Sequence, residues 1–206
     1  MTESATRAAY DSVAVLYADT FRDVMDDLPL DRAMVAAFAE LVRGDLPVAD
    51  LGCGPGYLTA HLASLGLSAF GVDLSPGMLA QAREEHPDLR FDEGTMTSLD
   101  LADESLGGIL AWYSIIHKAP DELPPILAEF HRVLAPGGHV LVGFQTCEKD
   151  TPEPFDHKVA LAYRWPPGGL SAVFRRAGLI ETARLVRQPT SIHERTPAGI
   201  LLLRKP

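Results

Sequence analysis

The residues best suited to chemistry stand in one short run, Asp50-Leu51-Gly52-Cys53-Gly54-Pro55-Gly56, with a second acid, Asp73, one helix and one strand further on. Alternate glycines make a tight turn that a ligand can approach closely, because glycine accepts positive φ and carries no side chain. A helix beginning near Tyr57 would aim its free N–H groups into that turn. A carboxylate at Asp73 can accept hydrogen bonds from a ribose diol. The spacing is G-x-G-x-G, whereas dinucleotide folds use G-x-G-x-x-G, so no diphosphate-sized concavity of the usual kind is left. Asp50, at the end of the preceding apolar residues, would repel a diphosphate and attract a cation. The ligand implied has a ribose and a positive charge but no phosphates.

Such residues need a scaffold that sets two strand ends side by side. Val48 to Leu51 reads as a buried strand and Tyr57 to Ser64 as the helix after the turn. Ser68 to Asp73 is a second strand. Ser75 and Pro76 then open another helix as N-cap and first helical residue, running to about Glu85. Leu89 to Asp92 is a third strand, and Leu106 to Trp112 a fourth, weakened by Gly107-Gly108. Glu122 to Leu134 is a helix with Leu123, Ile126, Leu127, Phe130 and Leu134 facing inward, and His139 to Phe144 a fifth strand. Upstream, Thr6 to about Asp26 has Tyr10, Val13, Ala14, Tyr17 and Phe21 in one stripe. That stripe suits either an amphipathic helix with its aromatics in the core or a cover helix holding Tyr10 or Tyr17 over a ligand. Asp31 is a plausible N-cap for a helix from Arg32 to Val42. Downstream, Gln145 to Pro167 is polar and rich in proline, either a lid or a long connection. A helix over Gly169 to Ala177 and strands over Leu179 to Val186 and Gly199 to Leu203 end the chain as an antiparallel edge. Strands alternating with helices indicate an α/β fold, a parallel sheet with helices on both faces. Its site belongs at the carboxyl ends of the strands, where strand order reverses, near the glycine turn, Asp73, Gly94-Thr95-Met96 and Tyr113.

Composition narrows the class. With 206 residues, a single domain is expected. Net charge is −10 and no run of Lys or Arg occurs, which argues against nucleic acid and against an anionic membrane surface. The start lacks a basic and apolar leader, and no apolar run approaches the ~18 residues of a membrane span. Cys53 and Cys147 have no metal-type spacing, so no metal site and a cytoplasmic location are expected.

S-adenosylmethionine, with its ammonium and sulfonium centres, meets the ligand description. The run Asp50 to Gly56 also resembles the first motif of the class I S-adenosylmethionine-dependent methyltransferases. The resemblance continues in Gly71-Val72-Asp73-Leu74-Ser75-Pro76-Gly77-Met78, in Phe91-Asp92-Glu93-Gly94-Thr95-Met96, and in Phe130-His131-Arg132-Val133-Leu134-Ala135-Pro136-Gly137-Gly138. The opening Ala9 to Tyr17 is similar to the cover helix of small-molecule members. The resemblance implies a Rossmann-like sheet of seven strands with the last antiparallel. It also implies one domain: cover helices over 1–44, a cofactor-binding core over 45–145, a lid over 146–167, and a last helix with terminal strands over 168–206. Asp50 and the backbone of Gly52, Cys53, Gly54 and Gly56 would then hold the methionine moiety, Asp73 the ribose, and Leu74 and Met78 the adenine. Tyr17, Met96, Ala111 and Trp112 would complete the cofactor set. Many relatives carry Asp where this chain has Thr95, so adenine is read by the Thr95 hydroxyl, by the Met96 N–H, or by Glu93.

The segment Ala111 to His117 faces the transferred methyl group in that family, and S-adenosylhomocysteine would be the product. The Asn/Asp-Pro-Pro-Tyr signature of enzymes that methylate DNA or glutamine is missing there. His117 is the candidate general base, since an unperturbed imidazole titrates near neutrality, though a loop histidine bonded to backbone reads equally well. Tyr10 and Tyr113 join it as candidate catalytic residues that wall the pocket, though Tyr113 reads equally well as core, and His157, Tyr163 and Arg164 are candidate substrate contacts. His193 and Glu194, between the last strands, carry no assigned role. Little chain remains outside the nucleotide fold, which favours a small-molecule acceptor methylated at O or N. A non-methylating, cyclase-like enzyme and a non-catalytic cofactor-binding module are the competing readings.

Overall fold

The computed structural model describes residues 2–190 and 194–206, so His193 lies outside the described residues. Helices α1 (Glu3–Phe21) and α2 (Pro29–Leu41) come first. An alternation follows: β1 (Val48–Leu51), α3 (Tyr57–Ser64), β2 (Ala69–Asp73), α4 (Pro76–Glu85), β3 (Arg90–Glu93), β4 (Leu106–Trp112), α5 (Leu123–Val133) and β5 (Leu134–Gln145). A single 3-10 turn, Ile115–His117, sits between β4 and α5. The chain ends with β6 (Glu153–Asp156), β7 (Leu161–Arg164), α6 (Pro167–Arg176), β8 (Ile180–Arg187) and β9 (Ala198–Arg204).

The main sheet has seven strands in the order β3-β2-β1-β4-β5-β9-β8. Strands β1 to β5 pair in parallel, and β9 runs antiparallel between β5 and β8. This is the Rossmann-like sheet with an antiparallel last strand that the sequence resemblance implies. Strand order reverses between β1 and β4, which places the glycine turn and the segment after Trp112 next to each other.

Alternation along the central strands builds a core on each face. Ile109 and Ala111 of β4, Val140, Val142 and Phe144 of β5, and Leu201 and Leu203 of β9 pack with Phe130 of α5 and Phe174 of α6. Leu110, Leu141, Ile200 and Leu202 point the other way, onto Val35 and Phe38 of α2 and Leu62 of α3. Gly108 belongs to β4 for a packing reason: a Cβ there would lie 2.8 Å from both Phe38 Cζ and Val42 Cγ1. The glycine that weakens the strand in sequence lets α2 dock on the sheet.

Three sequence expectations change. Asp31 is not an N-cap. Pro29 starts α2 earlier with Leu28 at the cap position, and Asp31 lies in the first turn, fully buried. Its carboxylate is bound by Arg187 of β8, with Nη2 donating to Oδ2 at 2.8 Å. The first helix runs Glu3–Phe21, begun by Thr2, whose hydroxyl accepts the Ala5 N–H. The stretch after β5 is also not structureless, since β6 and β7 form a two-stranded antiparallel hairpin.

Candidate active site

The glycine turn is locked to its neighbour strand. The N–H groups of Gly52 and Cys53 both donate to the Val72 carbonyl, at 2.7 and 3.2 Å. Gly52 has φ +77° and Gly56, which begins α3, has φ +84°, values that non-glycine residues seldom adopt. At Gly52 space is also decisive, because a Cβ would fall 2.3 Å from Ser114 Cβ and 3.0 Å from Met96 Cε. Two chain segments therefore meet at this glycine, and a bare backbone faces the cleft between them.

Asp73 is fixed from both sides. Its Oδ2 accepts the Gly54 N–H at 2.8 Å and its Oδ1 accepts the Ser75 N–H at 2.8 Å. Burial pushes this carboxyl above its usual value, although the amide hydrogen bonds oppose the shift. Asp50 sits deeper, 1% exposed, where it accepts the Thr59 hydroxyl at 2.7 Å. Burial, opposed by Thr59 and reinforced by the charge of Asp73, pushes Asp50 up to about 7.

Above the turn lies a cleft enclosing about 770 Å³, part of it open to solvent. Its floor is Gly52, Gly54 and Asp73; Leu74, Met78, Gly94 and Met96 form one wall; Trp112, Tyr113, Ser114, His117 and Lys118 form the other; Thr6, Tyr10 and Tyr17 of α1 close it from above. Tyr113 has φ +53°, a left-handed backbone that costs a bulky residue energy and persists where the surroundings impose it. Here the Tyr113 N–H is held by the Gly143 carbonyl at 2.9 Å.

The cover helix and the wall share a proton-carrying contact. Tyr10 Oη lies 2.7 Å from His117 Nε2, and His117 Nδ1 lies 3.0 Å from the Leu161 carbonyl. A carbonyl only accepts, so Nδ1 carries the proton, Nε2 accepts, and the Tyr10 hydroxyl donates. Burial pushes His117 down to about 4, against the opposing Leu161 hydrogen bond and with help from His157 and Lys118. Burial likewise raises Tyr10, and Tyr17 to about 12, each with a contribution from the Asp73 charge. The pair is a neutral imidazole and a protonated phenol.

Of the residues singled out from sequence, Tyr10, Tyr17, Gly52, Gly54, Asp73, Leu74, Met78, Met96, Trp112, Tyr113 and His117 line the cleft. Asp50, Cys53 and Ala111 are buried beneath it. Thr95 is turned away: its hydroxyl donates to Glu3 Oε1 at 2.9 Å. Glu93, the other candidate for reading adenine, pairs with Arg7 at 2.9 Å. Both side chains of the third motif thus hold α1, leaving Gly94 and Met96 at the cleft. His157 stacks edge-on against His117 with ring centroids 5.2 Å apart, one layer behind the lining. Tyr163 packs against the core, and Arg164 lies over the Phe155 ring at 4.5 Å and beside Glu153. Glu194 belongs to the Arg187 cluster, with Oε1 accepting from Nη2 at 2.6 Å.

Sequence reasoning passed over three residues. Ser114 lines the cleft with a buried hydroxyl that has no partner. Asp11 accepts the Ser75 hydroxyl at 2.6 Å and the Gly77 N–H at 3.0 Å, clasping α1 to the start of α4. Lys118 lines the cleft, and its Nζ donates to Glu3 Oε1 at 2.6 Å. A neighbouring signal existed only for Ser114, which lies inside the segment expected to face the methyl group.

Comparison with known proteins agrees with this geometry. Residues 48–138 match a family profile described as a methyltransferase domain. The chain is 32% identical over 142 residues to a demethylmenaquinone methyltransferase of Chlorobaculum parvum, covering 66% of this chain and 57% of that protein. It is 36% identical over 101 residues to a malonyl-[acyl-carrier protein] O-methyltransferase of Pectobacterium atrosepticum, covering 49% of this chain and 38% of that one. The chain thus spans about half the length of the curated relatives it matches. Among solved structures, the Burkholderia thailandensis 1,6-didemethyltoxoflavin-N1-methyltransferase, with its substrate and S-adenosylhomocysteine bound, superposes with a TM-score of 0.76. It has 21% identity and covers 100% of this chain and 91% of that chain. Ordered motifs, strand order and matched profile converge: residues 48–138 match a methyltransferase domain, and the sheet that carries them is Rossmann-like.

Proposed function

We propose that this protein binds S-adenosylmethionine in the cleft and moves its methyl group to an O or N atom of a small molecule. One observation carries the reading: Asp73, pinned by the amides of Gly54 and Ser75, presents a half-buried carboxylate at the mouth of the glycine turn. The residues present fit the cofactor. Gly52 leaves a bare backbone cradle that a side chain would fill, and Ser114 offers a buried hydroxyl still lacking a partner. Asp73 would hold the ribose, Leu74, Met78 and Met96 the adenine, and the Gly52 turn with Ser114 the methionine end. Asp50 would offset the positive charge from below.

When bound, the sulfonium supplies a methyl group that is already electrophilic. The protein's part is then to align, to exclude water and to take a proton. Tyr10, Tyr17 and Tyr113 enclose the acceptor side. His117, its Nδ1 proton committed to Leu161, is oriented to draw a proton through the Tyr10 hydroxyl. The hairpin β6–β7 supplies the Leu161 carbonyl, so residues 146–167 act as the lid that fixes the base, with His157 behind it. Acceptors named for the relatives are unlike one another, so the family leaves the acceptor open. Among the described residues no helix is long and apolar enough to cross a membrane, and both cysteines are free, as suits a cytoplasmic enzyme.

The test is direct. Asp73→Ala should weaken S-adenosylhomocysteine binding about tenfold or more in calorimetry, through lost charge-assisted hydrogen bonds. Unchanged affinity would sink the ribose assignment. Stoichiometric S-adenosylhomocysteine from S-adenosylmethionine in an acceptor screen establishes methyl transfer; product without it would indicate cyclase-type chemistry instead.

A further inference from the structure

The charge of the acceptor can be read from the cleft. Lys118 is the one Lys or Arg among the described lining residues, and it does not face the cleft as a free cation. Its ammonium lies 2.6 Å from Glu3 Oε1, which also accepts the Thr95 hydroxyl. Burial works to raise the Glu3 carboxyl, but the bonds from Lys118 and Thr95 outweigh it and hold it below its usual value. Glu3 is therefore an anion matched to Lys118. His117 offers no positive charge, since Nε2 accepts from Tyr10 and Nδ1 donates to Leu161. The remaining charge at the floor is the carboxylate of Asp73, with Asp50 beneath. The walls are rings: Tyr10 and Tyr17 meet edge to face at 5.8 Å, and Trp112 and Tyr113 at 5.6 Å.

A carboxylate acceptor would meet no free cationic side chain among the described lining residues and would stand against acidic ones, at the desolvation cost of a charge the protein does not pair. An ammonium has no lone pair to take a methyl group. We infer that Glu3, by neutralising Lys118, acts as a charge filter, and that the acceptor is an uncharged, flat molecule bearing a hydroxyl or ring N–H. This rests on the methyltransferase reading above. In the reaction the acceptor O–CH3 or N–CH3 bond forms as the S–CH3 bond breaks, with its electron pair left on sulfur. The acceptor proton passes to Tyr10 Oη as the Tyr10 proton passes to His117 Nε2, so the positive charge lost from sulfur reappears on the imidazole.

The test uses the full chain saturated with S-adenosylhomocysteine and two probes on the same ring, 2-naphthol and 2-naphthoate, with affinity read near neutral pH by calorimetry. The wild type should prefer the naphthol by about tenfold or more. Glu3→Gln should free Lys118 and raise the ratio of naphthoate to naphthol affinity about tenfold. Lys118→Met, which leaves Glu3 uncompensated, should weaken naphthoate further and keeps the test alive should Glu3→Gln not fold. Equal binding of the probes by wild type, no binding of either, or an unchanged ratio in both variants overturns the filter. S-adenosylhomocysteine is titrated separately: a wild type that does not bind it defeats the cofactor reading, a different result from any of these.

Discussion

Tyr10 and His117 come from positions far apart in the chain, yet at 2.7 Å they form one acid–base unit. The buried imidazole, pushed down to about 4, is a weak base by itself. In the proposed reaction it would receive a proton relayed by the phenol. Tyr10→Phe should then lower kcat by about a hundredfold while S-adenosylhomocysteine affinity holds, as single-turnover kinetics beside calorimetry would show. The same burial has a consequence for stability. The folded pKa of His117 lies below its unfolded value of 6.5, so its contribution is complete above that value and is lost as pH falls from there toward 4. His157 is shifted the same way by burial, whereas Asp50, raised to about 7, works in the opposite sense. The comparison must therefore be differential: His117→Gln should lose less thermal stability on acidification through this window than the wild type, measured by melting temperature across pH.

At the scale of elements, α1 is held differently from the sheet helices. Only Ala14 and Ala18 of α1 are buried, while α5 sinks Leu123, Ile126, Leu127, Phe130 and Val133. Polar contacts fasten it: Glu3 to Lys118 and Thr95, Arg7 to Glu93, Tyr10 to His117, Asp11 to Ser75 and Gly77, and the Ala18 carbonyl to the Tyr57 hydroxyl at 2.9 Å. Removing one strong clasp should loosen the cover without unfolding the domain. Asp11→Ala is expected to weaken cofactor affinity several-fold and to speed amide exchange along α1, with exchange in β1 and β4 unaltered. Elements that depend on local chemistry were legible in the sequence. Ser75-Pro76 does cap and start α4, its hydroxyl accepting the Met78 N–H, and β1, α3 and β4 begin and end where their apolar runs do. The hairpin β6–β7 was not legible, because a short proline-bearing pair with one strand face exposed leaves no periodicity. Nor were the partners of Thr95, Asp11 and Asp31, each of which sits many residues away and is brought close only by the finished sheet.

For the whole molecule, the buried cluster of Asp31, Arg187 and Glu194 joins the start of α2, the end of β8 and the loop before β9. Arg187 is 6% exposed and Asp31 fully buried, so neither can turn to water when its partner is lost. Arg187→Met should cost roughly 3–5 kcal/mol in urea denaturation, because it strands a buried carboxylate. The same cluster lies within electrostatic reach of Tyr113, so the variant also tests whether the far edge of the sheet steadies the acceptor wall.

The polar fastening of α1 has one more consequence, for kinetics. Its ion pairs, Arg7–Glu93, Lys118–Glu3 and Arg22–Glu85, are partly exposed, and exposed pairs weaken as salt screens them. A cover closed by apolar packing would ignore dissolved ions. This one turns ionic strength into a throttle on how fast the cleft opens, so cofactor exchange should quicken with salt even though no charged residue of the cover needs to touch the cofactor itself.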